Sequence, residues 1–261
     1  DIKNLRVFVS QKHFFNKEKI VFKYVKIDNA NFSLQKNDLK ILKDESNKKF
    51  SNKKIEINKS NIFLKDNSDE TITIIKISKA FFFLDSEELL NLFKLKGIAF
   101  NIPFNFDFRK KFDSSKSEEL HITAKPLKLN IFDKSNNENN NLKNGENIIS
   151  FLNSTIKTNY KTVDDIIVFN SSDSVIKNTK LDYNGNLSIN PFDLNLNINI
   201  NDFRLFKLLD INLILNQIIK TELLFNENIS INTSITTSSN LKREIFQNAK
   251  INFNIINGKI N

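Results

Sequence analysis

The sequence contains no cysteine, methionine or tryptophan, and its 261 residues include only 4 glycines, 3 prolines and 2 histidines. Without cysteine the chain has neither disulfides nor thiolate chemistry. Without methionine, residue 1 is not a translational start, so we expect the chain to be a fragment or a processed product. The scarcity of glycine argues against glycine-rich phosphate loops. Turns must instead use Asn, Asp and Ser, which tolerate left-handed backbone conformations.

Signatures of catalysis and metal binding are also missing. His121 lies between Leu120 and Ile122, on the polar side of a predicted strand, where an exposed surface histidine is expected. The adjacent carboxylates Asp164 and Asp165 fall next to a predicted turn, where solvated charge is the ordinary interpretation. The sequence has no zinc-ligand spacing, Walker loop or nucleophile elbow. We therefore predict a protein that is not an enzyme, with no catalytic residues, no cofactor and no metal site.

The chain is basic, with 39 Lys and Arg against 30 Asp and Glu and a net charge of +9. Such a balance can favour nucleic acids or anionic lipid headgroups. However, Lys, Asn, Ile and Phe all have AT-rich codons, and genomic drift explains much of the excess. The lysines are scattered through turns rather than clustered, so we do not expect nucleic acid as a partner.

Long alternation of apolar and polar residues is the dominant pattern that is present. The segments 98–108 and 192–201 both alternate strictly, and similar segments recur along the chain. A period of two places successive side chains on opposite faces of a β-strand. The pattern predicts a mainly β chain whose sheet is apolar on one face and polar on the other. We interpret it as a long, twisted, folded-over antiparallel sheet that forms a hydrophobic groove.

The predicted lining of this groove comes from the apolar positions of the alternating segments. It consists of Phe100, Ile102, Phe104, Phe106, Phe108, Leu187, Ile189, Leu194, Leu196, Ile198, Ile200, Ile229, Ile231, Ile251, Phe253 and Ile255. We expect all of these residues to face the same side. In the 98–108 segment, Ile98 is predicted to share that side.

Two short amphipathic helices are predicted to interrupt the sheet. The first begins with a capping box at Asp85 and Glu88 and ends near Gly97. The second covers about residues 203–224, where leucines recur near helical spacing. An Asn-rich stretch at 133–147 predicts a loop between an N-terminal part (1–132) and a C-terminal part (148–261) of the same groove.

Three local features predict finer details of the sheet. Residues 25–34 resemble residues 55–64 as a weak repeat, and the adjacent Ile74 and Ile75 indicate a bulge. The Asn190–Pro191 step predicts a hairpin turn, because proline cannot donate to a strand ladder.

The segments 181–192 and 248–260 carry a family resemblance. Their strand–turn–strand phrases, with alternating Leu, Ile and Asn, resemble the AsmA-like proteins of Gram-negative bacteria, relatives of TamB and YhdP. The resemblance implies a periplasmic protein anchored to the inner membrane by a helix outside this chain. It further implies the β-groove of bridge-like proteins, and a role in phospholipid transport between the inner and outer membranes and in outer-membrane biogenesis.

Two functional interpretations remain open from the sequence. In the first, phospholipid acyl chains are the partners and fill the groove. In the alternative, the chain is a non-enzymatic structural or assembly scaffold for outer-membrane proteins. For each apolar residue, packing within a closed β-sandwich competes with lipid contact. The sequence does not determine the oligomeric state.

Overall fold

The chain is mainly β-strand, which confirms the predicted fold class at that level. A computed structural model describes residues 1–10, 21–35, 38, 45, 47–65, 69–112, 116–139, 142–163, 166–177, 179–189, 192–201, 229–238, 248–256 and 259–260. The chain divides into two compact units, Asp1–Asn136 and Asn137–Asn261. The boundary falls within the stretch predicted as an Asn-rich loop.

The first unit contains eight strands that pair in chain order. The strands are β1 (Ile2–Val9), β2 (Phe22–Leu34), β3 (Lys54–Lys65), β4 (Thr71–Asp85), β5 (Leu90–Ala99), β6 (Ile102–Lys111), β7 (Ser117–Ala124) and β8 (Leu129–Asn139). A 3-10 helix at Lys125–Leu127 links β7 to β8. All of these pairs are antiparallel except β2–β3, which is parallel.

The described residues of the second unit form nine strands. They are β9 (Leu142–Phe151), β10 (Ser154–Val163), β11 (Ile166–Ser171), β12 (Ser174–Ile176), β13 (Thr179–Ile189), β14 (Phe192–Asn201), β15 (Ile229–Ser238), β16 (Asn248–Ile256) and β17 (Lys259–Ile260). The short strands β11 and β12 both lie between β10 and β13. The β14–β15 pair is parallel and the others in this unit are antiparallel. With the parallel β2–β3 pair, this makes the sheet mixed rather than purely antiparallel as predicted.

The weak repeat in the sequence corresponds to the parallel pair β2–β3. Val25 lies beside Ile55 and Leu34 beside Leu64, so residues 30 apart along the chain are direct neighbours throughout the pair. The two strands also share an irregularity, because Asn29 and Lys59 both have positive φ values, 56° and 47°. The repeat therefore describes two successive strands of one sheet.

The bulge lies a few residues from where the sequence indicated it. Ile74 and Ile75 pair regularly with β3, opposite Phe63 and Ile62. The register with β5 instead shifts between Ile77 and Lys79, so Ser78 is the additional residue. Two adjacent apolar residues were a misleading signal because both faces of β4 carry apolar side chains.

The first predicted helix is wrong. Asp85 does accept hydrogen bonds from the backbone N–H groups of Glu87 and Glu88, at 3.0 and 3.2 Å. However, the capped segment is a four-residue turn, and the chain continues as strand β5, with Asp85 paired to Leu90. A carboxylate cap satisfies the N–H groups of a tight turn as well as those of a helix, so the cap did not discriminate between them.

Other predictions are corrected or lie outside the described residues. The stretch 133–147 is not a loop, because most of it belongs to β8 and β9. The side chains of these strands alternate between the two faces of the sheet, so the strands accommodate their Asn residues. The predicted helix at 203–224 and the Asn190–Pro191 turn lie outside the described residues. The flanking strands do pair antiparallel, with Ile189 opposite Phe192.

The alternating segment 98–108 is interrupted by a turn. Phe100 and Asn101, with φ values of 51° and 62°, connect β5 to β6. Phe100 is 73% exposed and belongs to neither strand, which corrects its predicted place in the groove lining. Ile98 pairs with Pro103 and therefore lies on the face opposite Phe104. The two-residue turn pairs Ala99 with Ile102, so even-numbered residues change face across it, and the unbroken alternation of the sequence did not reveal this change.

Candidate functional site

A continuous apolar face spans all eight strands of the first unit. Residues directly opposite each other in neighbouring strands share a face, so the register traces this face from strand to strand. Along one row, Val7 lies beside Val25 and Val25 beside Ile55. A second row is formed by Ala80, Leu95, Phe106, Ile122 and Ile131. Ile102, Phe104, Phe106 and Phe108 all lie on this face, as predicted.

Most of this apolar face is only partly buried. Its closed core is small and consists of Ile77, Ala80 and Leu95. Phe104 and Phe106 pack against that core, as do Ile57, Ile62 and Phe93, but all five remain partly exposed. At β1 the face opens further, with Leu5 58% exposed. Within the described residues, therefore, the face is lined by large apolar side chains that retain contact with solvent.

The opposite face of the first unit is charged and internally paired. Asp107 accepts hydrogen bonds from Arg109 and lies 3.2 Å from the ammonium of Lys94. Partial burial raises the pKa of Asp107, but Arg109 and Lys94 outweigh that effect and leave the pKa below its ordinary value. On β3 the amide of Asn58 lowers the pKa of Glu56, and nearby lysines add to the effect against a smaller opposing influence of burial. This face is built to remain hydrated.

A crossing segment, residues 47–51, covers one end of the apolar face; we call it the strap. It belongs to the connection that makes β2 and β3 parallel. The buried amide of Asn91 binds the strap twice: Asn91 Oδ1 accepts from Phe50 N at 2.8 Å, and Asn91 Nδ2 donates to Lys48 O at 2.7 Å. The Phe50 ring packs edge-on against Phe82, with centroids 5.6 Å apart. The strap thus lies on the apolar face and closes one end of it.

Beneath the strap the face changes from apolar to polar. Asn91 on β5, Lys110 on β6, Glu118 on β7 and Ser135 on β8 are neighbours in register and form a single polar row. Lys110 donates to Glu118 and also to Asn47 Oδ1 of the strap, the latter at 2.6 Å. Both members of this ion pair are largely buried. The row gives one end of the apolar face a buried polar boundary.

The second unit has its own continuous apolar face. Leu187, Leu194 and Ile231 are aligned in neighbouring strands, and Ile255 extends the same row onto β16. Adjacent rows on this face contain Leu196, Phe253, Ile198 and Ile251; Ile189, Ile200 and Ile229 occupy equivalent backbone positions. Ile255 is fully buried, whereas Ile251 is 43% exposed. Leu187, Leu194, Leu196, Ile198, Ile231, Ile251, Phe253 and Ile255 therefore share one face.

The opposite face of the second unit carries ladders of amides. Asn232 donates to Asn195 at 2.9 Å, and Asn195 donates to Asn186 at 3.0 Å. A parallel ladder joins Asn197 to Asn184 at 3.3 Å. Because every amide is both a donor and an acceptor, these side chains satisfy one another across the strands. The amide ladders therefore give this face of β13, β14 and β15 a network of satisfied polar groups.

Among the residues that the structure describes, no candidate metal site forms. No group of three or more His, Asp or Glu side chains that could hold a metal ion occurs there. His121 is exposed, as predicted, and contacts Asn130 at 2.6 Å in a shallow depression that Arg109 and Glu119 also line. In the same part of the chain, no helix has the length and apolarity needed to cross a bilayer.

The strap and the polar row are features that sequence reasoning missed. Lys110 and Asn91 read as ordinary polar residues of an alternating pattern, because nothing local indicates that a distant segment will cover them. Comparison with protein-family models, curated proteins and solved structures found no match. The functional argument therefore depends on the geometry of the two apolar faces.

Proposed function

We propose that the chain forms a non-enzymatic, lipid-binding β-groove in which phospholipid acyl chains lie along the apolar faces. The observation that carries the proposal is the continuity of each apolar face across neighbouring strands while its side chains stay partly exposed. Soluble proteins rarely expose large contiguous apolar surfaces unless these bind a partner. Hydrocarbon chains suit such a surface because they bury apolar area without requiring hydrogen bonds.

The polar faces support the same proposal. In the first unit, ion pairs such as Lys94–Asp107 lie on one face, while large apolar side chains predominate on the other, where Ser60 and Asp133 are polar exceptions. An amphipathic sheet of this kind separates hydrocarbon on one side from solvent on the other. We propose that the sheet acts in the transport of phospholipid between the inner and outer membranes. This transport would take place in the periplasm as part of outer-membrane biogenesis. Attachment to the inner membrane by a helix outside this chain belongs to the proposal.

Lipid extraction from the purified chain tests this function. We expect mass spectrometry to find co-purifying phospholipid, and a phospholipid with a fluorescent acyl chain to bind and to be displaced by unlabelled phospholipid. A water-soluble phosphate ester without acyl chains is the matched control and should not displace it. Absence of both co-purified lipid and probe binding would refute the groove and favour the scaffold for outer-membrane proteins.

A further inference from the structure

The three described glycines lie in register rows that continue the apolar faces, and each has an aromatic side chain close to its missing side-chain position. The row of Gly145 runs through Tyr160, Phe169 and Gly185 to Leu196, whereas the flanking same-face residues on β9, Lys143 and Asn147, are polar. Gly97 lies opposite Phe104, Gly145 opposite Tyr160, and Gly185 beside Phe169. A methyl group on Gly145 would collide with the far half of the Tyr160 ring, reaching Cε1 at 2.6 Å and Cζ and Oη more closely still. A methyl group on Gly185 would lie 2.8 Å from Phe169 Cζ.

These contacts define how the rings lie. A Cβ atom projects from the sheet immediately above its own Cα, so a ring that occupies the Cβ position of the neighbouring strand lies low across that strand. The Tyr160 ring therefore extends from β10 over β9, and the Phe169 ring extends from β11 over β13. Tyr160 and Phe169 are register partners. Their rings lean in opposite directions, each into the space of a glycine.

The three glycines differ in which other atoms an added methyl group would meet. At Gly185 a methyl group would also meet the backbone oxygen of Asn195, and at Gly97 it would approach Lys76 O at 2.7 Å. Side chains at these two positions would disturb strand pairing itself. At Gly145 all three of the nearest atoms belong to the Tyr160 ring. Gly145 is thus the position where the ring can be perturbed with the least effect on the sheet.

We infer that Gly145 is a clearance-determining residue of the lipid groove: by leaving room for the Tyr160 ring to lie flat, it keeps the apolar face of the second unit unobstructed for acyl chains. The inference rests on the proposed function and specifies which residues determine how close to the sheet an acyl chain can lie. A methyl group at position 145 displaces the ring away from the sheet, into the path of a bound chain. The chemical class affected is an extended hydrocarbon chain that must lie close to the sheet.

The test compares Gly145→Ala with three other variants: Tyr160→Ala, the double variant, and Glu146→Ala, which changes the next residue of β9 on the opposite face. Vesicles of phosphatidylethanolamine and phosphatidylglycerol donate a phospholipid with a fluorescent acyl chain. We expect Gly145→Ala to weaken probe binding about tenfold, equivalent to about 1.4 kcal/mol. The double variant should recover to near the wild-type value, and Glu146→Ala should not change binding.

Each alternative outcome has a defined meaning. Unchanged binding in Gly145→Ala overturns the inference. A loss that the double variant does not recover also overturns it, because the glycine would then serve the strand rather than the ring. Failure of the wild-type chain to bind the probe refutes the proposed function and the clearance role together. The ring placement is checked separately by NMR: the Tyr160 ring should shift the Gly145 Hα resonances upfield, and Tyr160→Ala should abolish that shift.

Discussion

Glutamate substitutions at Leu95 and Phe104 distinguish an open apolar face from a closed core. Both residues lie on the apolar face of the first unit, on neighbouring strands. Leu95 is 7% exposed and belongs to the closed core with Ile77 and Ala80, whereas Phe104 packs at its margin and remains partly exposed. The same charge is thus introduced into two adjacent environments that differ mainly in access to water.

The expected losses of stability differ by several kcal/mol. Full burial of a Phe side chain contributes about 1.5–3 kcal/mol, so losing a partly buried one should cost about 1–2 kcal/mol, with the new carboxylate reaching water. At Leu95 the carboxylate would be buried without a partner, a change that typically costs more than about 4 kcal/mol. We therefore expect Phe104→Glu to fold and Leu95→Glu to be largely unfolded.

Urea denaturation followed by far-ultraviolet circular dichroism measures the free energy of unfolding of both variants. The fluorescent acyl probe measures binding, which Phe104→Glu should weaken because its carboxylate must be desolvated beneath a hydrocarbon chain. Phe104→Leu is the matched control and should retain binding. Equal destabilisation by the two glutamates would show that the face is a dry core, and the reasoning would fail.

Three further predictions concern polar groups. Replacing Lys110 by Met removes the cation that pairs with the buried carboxylate of Glu118, and should lower the unfolding free energy measured in urea titrations by about 3–5 kcal/mol. The double variant Lys110→Met/Glu118→Leu should recover most of this loss. If it does not, the pairing is contradicted. Asp107 has a lowered pKa in the folded state, so it stabilises the fold at pH values above its unfolded pKa of about 3.9 and that stability is lost as the pH falls through the folded pKa. Asp107→Asn should therefore be less stable than wild type at pH 7, by up to about 1 kcal/mol, with a smaller difference near pH 2.5; a constant difference would exclude the charge as its cause. The buried hydroxyl of Ser60 accepts from Ala30 N at 3.0 Å, so Ser60→Ala should destabilise by about 1–3 kcal/mol in thermal melts, and an unchanged melting temperature would contradict this role.

The strands and their faces could be predicted because alternation is a local signal with a direct geometric meaning. Leu194, Leu196 and Ile198 lie on one face because every second residue must. The 25–34 and 55–64 repeat, noted from the sequence only as a weak resemblance, corresponds to neighbouring strands whose matching residues are register partners. What alternation cannot predict is the end of a strand. Phe100 adopts a positive φ value that is uncommon for a bulky residue, and the adjacent Asn101 was a turn signal that the continued alternation outweighed.

The polar end of the first unit could not be predicted for a different reason. Asn91 and Phe50 are 41 residues apart, and the hydrogen bond between them depends on the path of the connection between β2 and β3. The sequence of β5 alone gives Asn91 the character of a surface residue. Only the parallel pairing, which forces the chain to return across the sheet, explains why this amide is buried.

The extra residues in β2, β3 and β4 constrain how the length of this sequence can change. Asn29 and Lys59 occupy equivalent positions of the repeat, and Ser78 lies opposite Lys59. Deleting any one of the three would shift half of its strand by one position against a neighbour that keeps its extra residue, and the shifted side chains would exchange faces. Deleting all three together would leave the β2–β3 and β3–β4 registers consistent. Because Lys3 of β1 lies opposite Asn29, a change of length here requires matching changes in β1 as well as in β2, β3 and β4.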